Sequence, residues 1–317
     1  MEIEKMLKVC FNSFVLVLLQ FAIVPVANAQ QVAIEGFSFE NQNPAWEQGS
    51  GPKVLIDRAV SPYVQRGSFE PFKILAQTDG YQISYLDENL SKDTLDKLDI
   101  LVIPNAYTKD FINFSTLDAP SVYTDAQIDE IKNWVQEGGS MLVLADHSPF
   151  AGGTIKLAEA FGFTYMTGHT LNKSSLSSRV NVLIDFSREN GLLADHPITN
   201  GSTGRQKITH FFAFGGQAII AAPESTSILT TPDHFETLLG FSASRDFFTA
   251  PRLPTGGQSQ GAAMEFGKGR VMFMGETGGF TAQILNNTEA YGFQSEEADE
   301  NKEFILATLR WLAKFTP

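Results

Sequence analysis

Cysteine is almost absent from the sequence: the 317 residues include a single one, Cys10. Cys10 lies within an N-terminal segment that we expect to be removed, as argued below, so the remaining chain would contain no thiol. Such a chain has no disulfide, no thiolate metal ligand and no cysteine nucleophile. Chemistry that proceeds through a thioester is therefore excluded.

Basic residues and long apolar runs are also scarce. The chain has 23 lysines and arginines against 36 aspartates and glutamates, which gives a net charge of −13. A surface of this sign repels polyanions, so neither nucleic acid nor an anionic membrane is expected as a partner. Beyond the first thirty residues no run is long and apolar enough to span a bilayer.

The first 29 residues are typical of a cleavable secretory signal. Lys5 and Lys8 precede a mostly apolar run, 14–26, of about 13 residues, where a spanning helix needs about 20. Ala27-Asn28-Ala29 then forms a small-x-small cleavage site. We expect cleavage after Ala29 and a periplasmic or secreted protein; the alternative is a permanent N-terminal anchor.

Strand-like and helix-like patterns alternate from residue 53 onward. Apolar runs predict strands at 53–56, 81–86, 100–103, 141–144, 261–266 and 270–274, and looser patterns suggest strands at 180–184 and 217–221. Helices are predicted from a cap at Ser68, from a capping box of Thr124 and Gln127, after Gly152, and over 304–312. This alternation predicts a parallel sheet with helices on both faces.

The same patterns divide the chain into parts. Residues 1–29 are the signal, 30–51 form a linker or irregular N-terminal arm, and 52–317 form one α/β domain. Between about 168 and 260 serine, threonine, glycine and proline interrupt the alternation repeatedly, so we interpret this stretch as an insertion over the rim of the sheet.

Polar side chains follow several predicted strands at the point where each strand ends. These residues are Asp57, Asn105, Asp146, His147 and Glu276. Because the carboxyl ends of parallel strands share one edge, where ligands bind in such sheets, we expect a functional site there. Desolvated carboxylates and a histidine can serve as acid and base. The alternative for each residue is that it only caps the following loop.

The segment from Asp146 to Gly153 lies between a buried strand and a helix, where backbone N–H groups favour anions. His147 is a candidate acid, base or ligand. Ser148 is an alternative nucleophile, but Pro149 follows it and no G-x-S-x-G frame surrounds it.

A second glycine-rich turn, 275–280, is predicted to join a strand to a helix carrying Gln283. Glu276 in this turn could form a carboxylate pair with Asp57 or Asp146, and paired carboxylates are the usual equipment for glycoside hydrolysis.

Cofactor motifs are missing from the sequence. There is no P-loop, and no G-x-G-x-x-G follows the first strand, so neither a nucleotide nor a flavin is expected. The five histidines form no metal-binding motif. A divalent ion held by Asp146, His147 and either His196 or His210 is an alternative that the spacing does not support.

The motifs together resemble a known group. Val54-Leu55-Ile56-Asp57, Leu101 to Ala106, Trp134 to Gly139 and Ala145 to Phe150 are similar to an exported group of the class I glutamine-amidotransferase-like superfamily, near the DUF4350 and trehalose-utilisation (ThuA-like) proteins. Asp195 to Ile198, Ser259 to Ala262, Gly275-Glu276 and Phe280 to Gln283 look like later motifs of the group.

This resemblance implies a flavodoxin-like α/β fold over residues 53 to 313, but no settled reaction. Amidotransferases of this fold use a Cys-His-Glu triad, and the lack of a cysteine excludes their glutamine hydrolysis. Carbohydrate context is common among the relatives, which favours a saccharide or related small polar ligand.

The hypothesis from the sequence is a hydrolase of such a molecule. Its proposed catalytic residues are His147, Asp146, Glu276 and Asp57, and its proposed substrate-binding residues are Asn105, Gln260 and Gln283. The alternative is a non-catalytic binding or scaffold domain that lost the triad.

Overall fold

The computed structural model describes residues 31–108, 119–150, 152–173, 182–239 and 250–317. The expected signal segment, 1–29, lies outside the described residues. Within the described ranges, no helix combines the length and the apolar character needed to cross a membrane.

Helices and strands alternate in the first half of the chain, and strands dominate the second. The helices are α1 (Pro62–Gln65), α2 (Glu70–Thr78), α3 (Lys92–Leu95), α4 (Asp125–Glu137), α5 (Ile155–Ala160) and α6 (Asn301–Leu312). The strands are β1 (Gln31–Ala33), β2 (Lys53–Asp57), β3 (Gln82–Leu86), β4 (Ile100–Pro104), β5 (Ser140–Leu144), β6 (Thr164–Tyr165), β7 (Gly168–Asn172), β8 (Ile184–Ser187), β9 (His210–Ala213), β10 (Ile219–Ile220), β11 (Thr226–Thr230), β12 (Phe235–Leu239), β13 (Arg252–Pro254), β14 (Ser259–Phe266), β15 (Gly269–Met274), β16 (Ala282–Leu285) and β17 (Glu289–Gly292).

One half of the central sheet is parallel. Strands β3, β2, β4, β5 and β15 lie side by side in that order, and each pair between them is parallel. Their carboxyl ends therefore meet at one edge, as the sequence predicts.

The predicted α/β fold with parallel strands at the centre of its sheet is confirmed, and the strands beyond β15 add an antiparallel part that the sequence did not predict. β14 pairs antiparallel with β15, β10 continues the sheet to β6, and β11 also pairs with β14. The tight turn at 267–268 between β14 and β15 makes a hairpin, which forces this reversal. Because β14 runs backwards, its first residues lie at the edge where the parallel strands end.

Helices cover both faces of the sheet, as predicted. On one face α2 and α6 pack against alternate residues of the strands, such as Ile56, Val102 and Leu144. On the other face α4 and α5 pack against the intervening residues, such as Leu101 and Val143. Buried residues therefore alternate between two cores, and both faces of the parallel strands are apolar.

Three smaller sheets surround the central one in the described part of the chain: β1-β16-β17, β13-β12-β7 and β8-β9. Most strands of residues 168–260 belong to these, although β10 and β11 join the central sheet. The N-terminal arm packs on the domain, because β1 pairs with β16 and Trp46 packs edge-on against Tyr81 and Phe315.

Three local predictions have different outcomes. The capping box is present, with Thr124 accepting from Gln127 and Gln127 accepting from Thr124. The predicted cap at Ser68 is wrong, because α2 begins one residue later with Phe69 as N-cap. The predicted helix around Gln283 is also wrong: a short 3-10 turn at 278–280 leads into strand β16.

Candidate functional site

A polar cavity lies at the carboxyl edge of the parallel strands. It has a volume of about 290 Å³. The described residues that line it are Gln31, Tyr63, Arg66, Asn105, Asp146, His147, Phe150, His169, Val182, Phe214, Gly278, Gln283, Leu285 and Tyr291. Four residues predicted from the sequence are therefore brought together here: Asn105, Asp146, His147 and Gln283.

Asn105 ties together the ends of three strands. It follows β4 in the left-handed region, with φ of 45°, a conformation that asparagine tolerates better than most residues. Its Oδ1 accepts the backbone N–H of Asp146 at 2.9 Å and the hydroxyl of Thr277 at 2.9 Å. Asp146 follows β5 and Thr277 follows β15, so the side chain of Asn105 fixes the floor of the cavity.

Asp146 and His147 follow β5 and are half-buried. The carboxylate of Asp146 accepts the backbone N–H of His147 at 2.7 Å. The buried side chain of Gln217 donates to the backbone carbonyl of Asp146 at 2.7 Å. Asp146 therefore holds the backbone of His147 in place.

The imidazole of His147 is oriented by a backbone carbonyl. Its Nδ1 lies 2.8 Å from the carbonyl oxygen of Ser148. Because a carbonyl only accepts, Nδ1 must carry the hydrogen, and in the neutral ring Nε2 keeps its lone pair. This tautomer leaves His147 with one nitrogen able to take a proton.

His169 lies flat against His147. The ring centroids are 4.4 Å apart and the planes differ by 5°. Part of the His169 ring faces the cavity, but protein surrounds it. Its removal from water, and then repulsion from His147 whenever that ring is protonated, lower the pKa of His169 well below its ordinary value. His169 is therefore held neutral and presents an uncharged aromatic face.

Glu276 lies behind the cavity wall and does not line it. Its Oε1 accepts the backbone N–H groups of Gly279 at 2.9 Å and Phe214 at 3.2 Å. Burial, and then repulsion from Asp146, raise the pKa of Glu276 well above its ordinary value, against the effect of these backbone N–H groups. The two side chains are therefore close enough to repel each other, but only Asp146 lines the cavity.

Two amide–phenol contacts form one wall. Gln283 donates to the hydroxyl of Tyr63 at 2.6 Å and to the hydroxyl of Thr281 at 2.7 Å. The side chain of Gln31 hydrogen-bonds the hydroxyl of Tyr291. Burial raises the pKa of both tyrosines, so both phenols stay protonated.

Two further residues that the sequence predicted for the site do not line the cavity. Asp57 is fully buried at the end of β2, where Tyr123 donates to its carboxylate at 2.7 Å. Gln260 is fully buried at the start of β14, and its amide donates to the carbonyl of Gly215 at 2.7 Å. Neither residue is among the described residues that line the cavity. Neither is therefore placed to contact a ligand in it.

The structure does not support the two alternatives from the sequence, Ser148 as a nucleophile and a divalent metal ion at Asp146 and His147. The hydroxyl of Ser148 is buried beneath the loop. His210 lies between Asp185 and Asp299, His196 packs edge-on against Trp311, and neither is among the described residues that line the cavity with His147. Within the part of the chain that the structure describes, no three His, Cys, Asp or Glu side chains form a metal-ligating group.

Sequence reasoning missed the residues that enter the cavity from outside the strand ends. Tyr63 and Arg66 come from α1 and the residue after it, His169 from β7, and Gln31 and Tyr291 from the small sheet β1-β16-β17. These elements are too short for periodicity to reveal. The signal that could have found Tyr63 is the Ser61-Pro62 helix start, since Ser61 caps α1 by accepting from Val64.

Comparisons with known proteins bear on the fold. No family model and no curated protein matches the chain. Among solved structures, the chain is similar to the N-terminal domain of mmIFT52, with a TM-score of 0.53 and 12% identity over 82% of this chain and 97% of that one. This likeness shows a shared mixed α/β fold and nothing about activity.

Two other solved structures are similar at a lower level. A cytoplasmic protein from Salmonella typhimurium LT2 has a TM-score of 0.46 and 13% identity, covering 84% of this chain and 100% of its own. A ThuA-like protein from Bacteroides uniformis has a TM-score of 0.44 and 11% identity, covering 87% and 94%. We carry no function over from either protein.

Proposed function

We propose that this protein is an exported hydrolase of a saccharide or related small polar metabolite, cleaved after Ala29 and related to the DUF4350 and ThuA-like group. The observation that carries the proposal is the arrangement of His147: its Nδ1 is held by the Ser148 carbonyl and its ring lines a polar cavity next to Asp146. A histidine held in one tautomer at such a position is equipped for acid–base chemistry.

The lining favours a small hydroxylated ligand. The volume of about 290 Å³ lies at the lower end of the usual range for ligand cavities, about 300–1,000 Å³. Gln31, Gln283, Asn105 and the tyrosines offer amide and phenol groups suited to hydroxyls. Phe150 and Phe214 add apolar ring surface. A single sugar unit has this combination of polar edges and apolar faces.

The reaction would proceed by general base catalysis. Nε2 of His147 takes a proton from a water molecule, whose oxygen forms a bond to the electrophilic carbon of the substrate. The imidazolium then gives that proton to the leaving oxygen as its bond to carbon breaks. Asp146 stabilises the transient positive charge, and Glu276 positions the cavity wall through Phe214 and Gly279.

This arrangement favours an ester of a saccharide over a glycosidic bond. Glycosidases place two carboxyl groups on either side of the scissile bond. Among the carboxylates predicted to be catalytic, only Asp146 lines the cavity, whereas Glu276 and Asp57 are buried. One histidine and one carboxylate suffice for water attack on an acyl carbon.

The burial of Glu276 also favours the second candidate function, a binding domain without turnover. Glu276 is held by backbone N–H groups on both oxygens, as a structural carboxylate would be. In that case the cavity would retain a saccharide and leave it intact.

One experiment separates the two. The purified protein is incubated with acetylated sugars, chromogenic esters and chromogenic glycosides, with and without EDTA. His147→Ala is compared with His234→Ala, which removes an exposed histidine away from the cavity. Turnover lost only in His147→Ala supports the hydrolase, and turnover abolished by EDTA would instead require a metal. Saccharide binding without turnover, unchanged by His147→Ala, would overturn the catalytic proposal.

A further inference from the structure

Arg66 occupies an unusual position among the basic residues. It directly follows α1, its side chain is exposed, and it lines both the cavity and the adjoining groove beside residues 32–37. Its place is therefore at the rim. Among the described residues that line the cavity, Arg66 is the only lysine or arginine.

Arg66 forms no ion pair within the described ranges, unlike other arginines of the chain. Arg58 pairs with Asp87, Arg205 with Glu303, and Arg310 with Asp79. In a chain with 36 acidic and 23 basic residues, an arginine at a cavity rim that pairs with no carboxylate of the described residues is available to a ligand. A guanidinium offers a planar set of donors that matches a carboxylate with two parallel hydrogen bonds.

The charges around the cavity limit what that ligand can be. Arg66 contributes one positive charge and the carboxylate of Asp146 contributes one negative charge to the lining. A dianionic group such as a phosphate would bring two further negative charges towards Asp146 for one guanidinium. A single carboxylate is balanced by Arg66 alone.

We infer that the ligand carries one carboxylate, which Arg66 binds at the rim, so that the saccharide of the proposed function is of the uronic acid class. This inference rests on the proposed function, because it takes the sugar unit to lie in the cavity. It adds a specificity-determining residue that the strand-end motifs do not contain.

The test compares three sugars that differ at one carbon: D-glucuronate, D-glucose and D-glucose 6-phosphate. Their dissociation constants are measured by titration calorimetry at low ionic strength. We expect glucuronate to bind about tenfold or more tightly than glucose, the advantage of a charged hydrogen-bonded pair. Glucose 6-phosphate should bind more weakly than glucuronate, and added salt should reduce the preference because Arg66 is exposed.

Variants of Arg66 test whether this residue causes the preference for glucuronate over glucose. Arg66→Gln should remove the preference for glucuronate over glucose by weakening glucuronate binding, and Arg66→Lys should keep only part of that preference. Arg58→Gln is the matched control, since it makes the same change at an arginine that does not line the cavity.

The outcomes are distinguishable. Equal binding of glucose and glucuronate, or a preference that survives Arg66→Gln, would overturn the inference and leave the saccharide proposal intact. Tightest binding of glucose 6-phosphate would show that the charge argument is wrong. Binding of none of the three sugars would overturn the proposed saccharide function and this inference with it.

Discussion

The imidazole rings of His147 and His169 are stacked, with centroids 4.4 Å apart and planes inclined by only 5°. One ring belongs to the loop after β5 and the other to β7, so the contact joins the parallel sheet to the strands around its rim. Two stacked imidazoles repel each other if both are protonated. The pair is therefore stable only while at least one ring is neutral.

This stack predicts a loss of stability in acid. The pKa of His169 is lowered in the folded state from its ordinary value of 6.5, so below that pH the unfolded chain binds a proton that the folded chain does not. Above pH 6.5 this difference in proton binding does not affect the unfolding free energy. As the pH falls below 6.5, the unfolding free energy falls by up to about 1.4 kcal/mol per pH unit for one proton. His169→Phe keeps an aromatic ring and should remove this loss, as measured by urea unfolding between pH 5 and 8.

Asp57 predicts a pH dependence of the opposite sign. Burial raises its pKa from 3.8 to about 6, against the hydrogen bond from Tyr123. The folded state therefore holds a proton that the unfolded state releases between these values, and stability falls as the pH rises through this window, by about 3 kcal/mol in total. Relative to Asp57→Asn, wild type should lose unfolding free energy between pH 4 and 7.

The two effects overlap between the ordinary pKa of Asp57, 3.8, and its raised pKa of about 6, so the wild-type curve alone does not separate them. Each variant isolates one of them. If the difference between wild type and Asp57→Asn is the same at pH 4 and pH 7, the assignment to Asp57 is wrong.

Gly278 predicts a steric effect on the cavity. A Cβ at this position would lie 2.7 Å from Oε1 of Glu276 and 3.0 Å from the hydroxyl of Tyr291. Gly278→Ala should therefore displace the wall, destabilise the protein by about 1–3 kcal/mol and weaken ligand binding. Ala290→Ser, which adds one atom at an exposed position of β17, is the control. Wild-type melting temperature and binding in Gly278→Ala would contradict this account.

Arg310 predicts a large effect far from the cavity. It donates to both carboxylate oxygens of Asp79, at 2.7 and 2.5 Å, and both side chains are buried. Arg310→Met leaves the Asp79 carboxylate without this partner and should lower the unfolding free energy by about 3–5 kcal/mol. Arg58→Met breaks the exposed pair with Asp87 and should change it by less than about 1 kcal/mol. Similar losses in the two variants would show that burial does not set the difference.

The fold was most predictable where neighbouring residues determine structure. Strands β2, β4 and β5 are continuous apolar runs, and α4 has its own capping box, so periodicity and capping identify them. The antiparallel half was not predictable in this way. β10 has two residues in the described chain, and its partners β6 and β14 are distant in sequence.

The site was predictable to the extent that it follows the parallel strands. Asn105 follows β4 and Asp146 lies two residues after the end of β5, and that rule alone places them in the cavity. The rule does not give depth, so it did not separate Asp146, which lines the cavity, from Glu276 and Asp57, which are buried. Gln283, which was predicted to bind substrate, lines the cavity, although it lies on a strand and not on the predicted helix.

Strand β1 has a practical consequence for making the protein. Gln31, its first residue, lines the cavity, whereas Phe315 packs on Trp46 beside Gly51 and Gly80, at the opposite edge of the sheet. A tag or fusion partner joined just before Gln31 would be attached at the cavity wall, where it could compete with a ligand. One joined after Pro317 would leave from the opposite edge of the sheet, so assays of this protein should use that end.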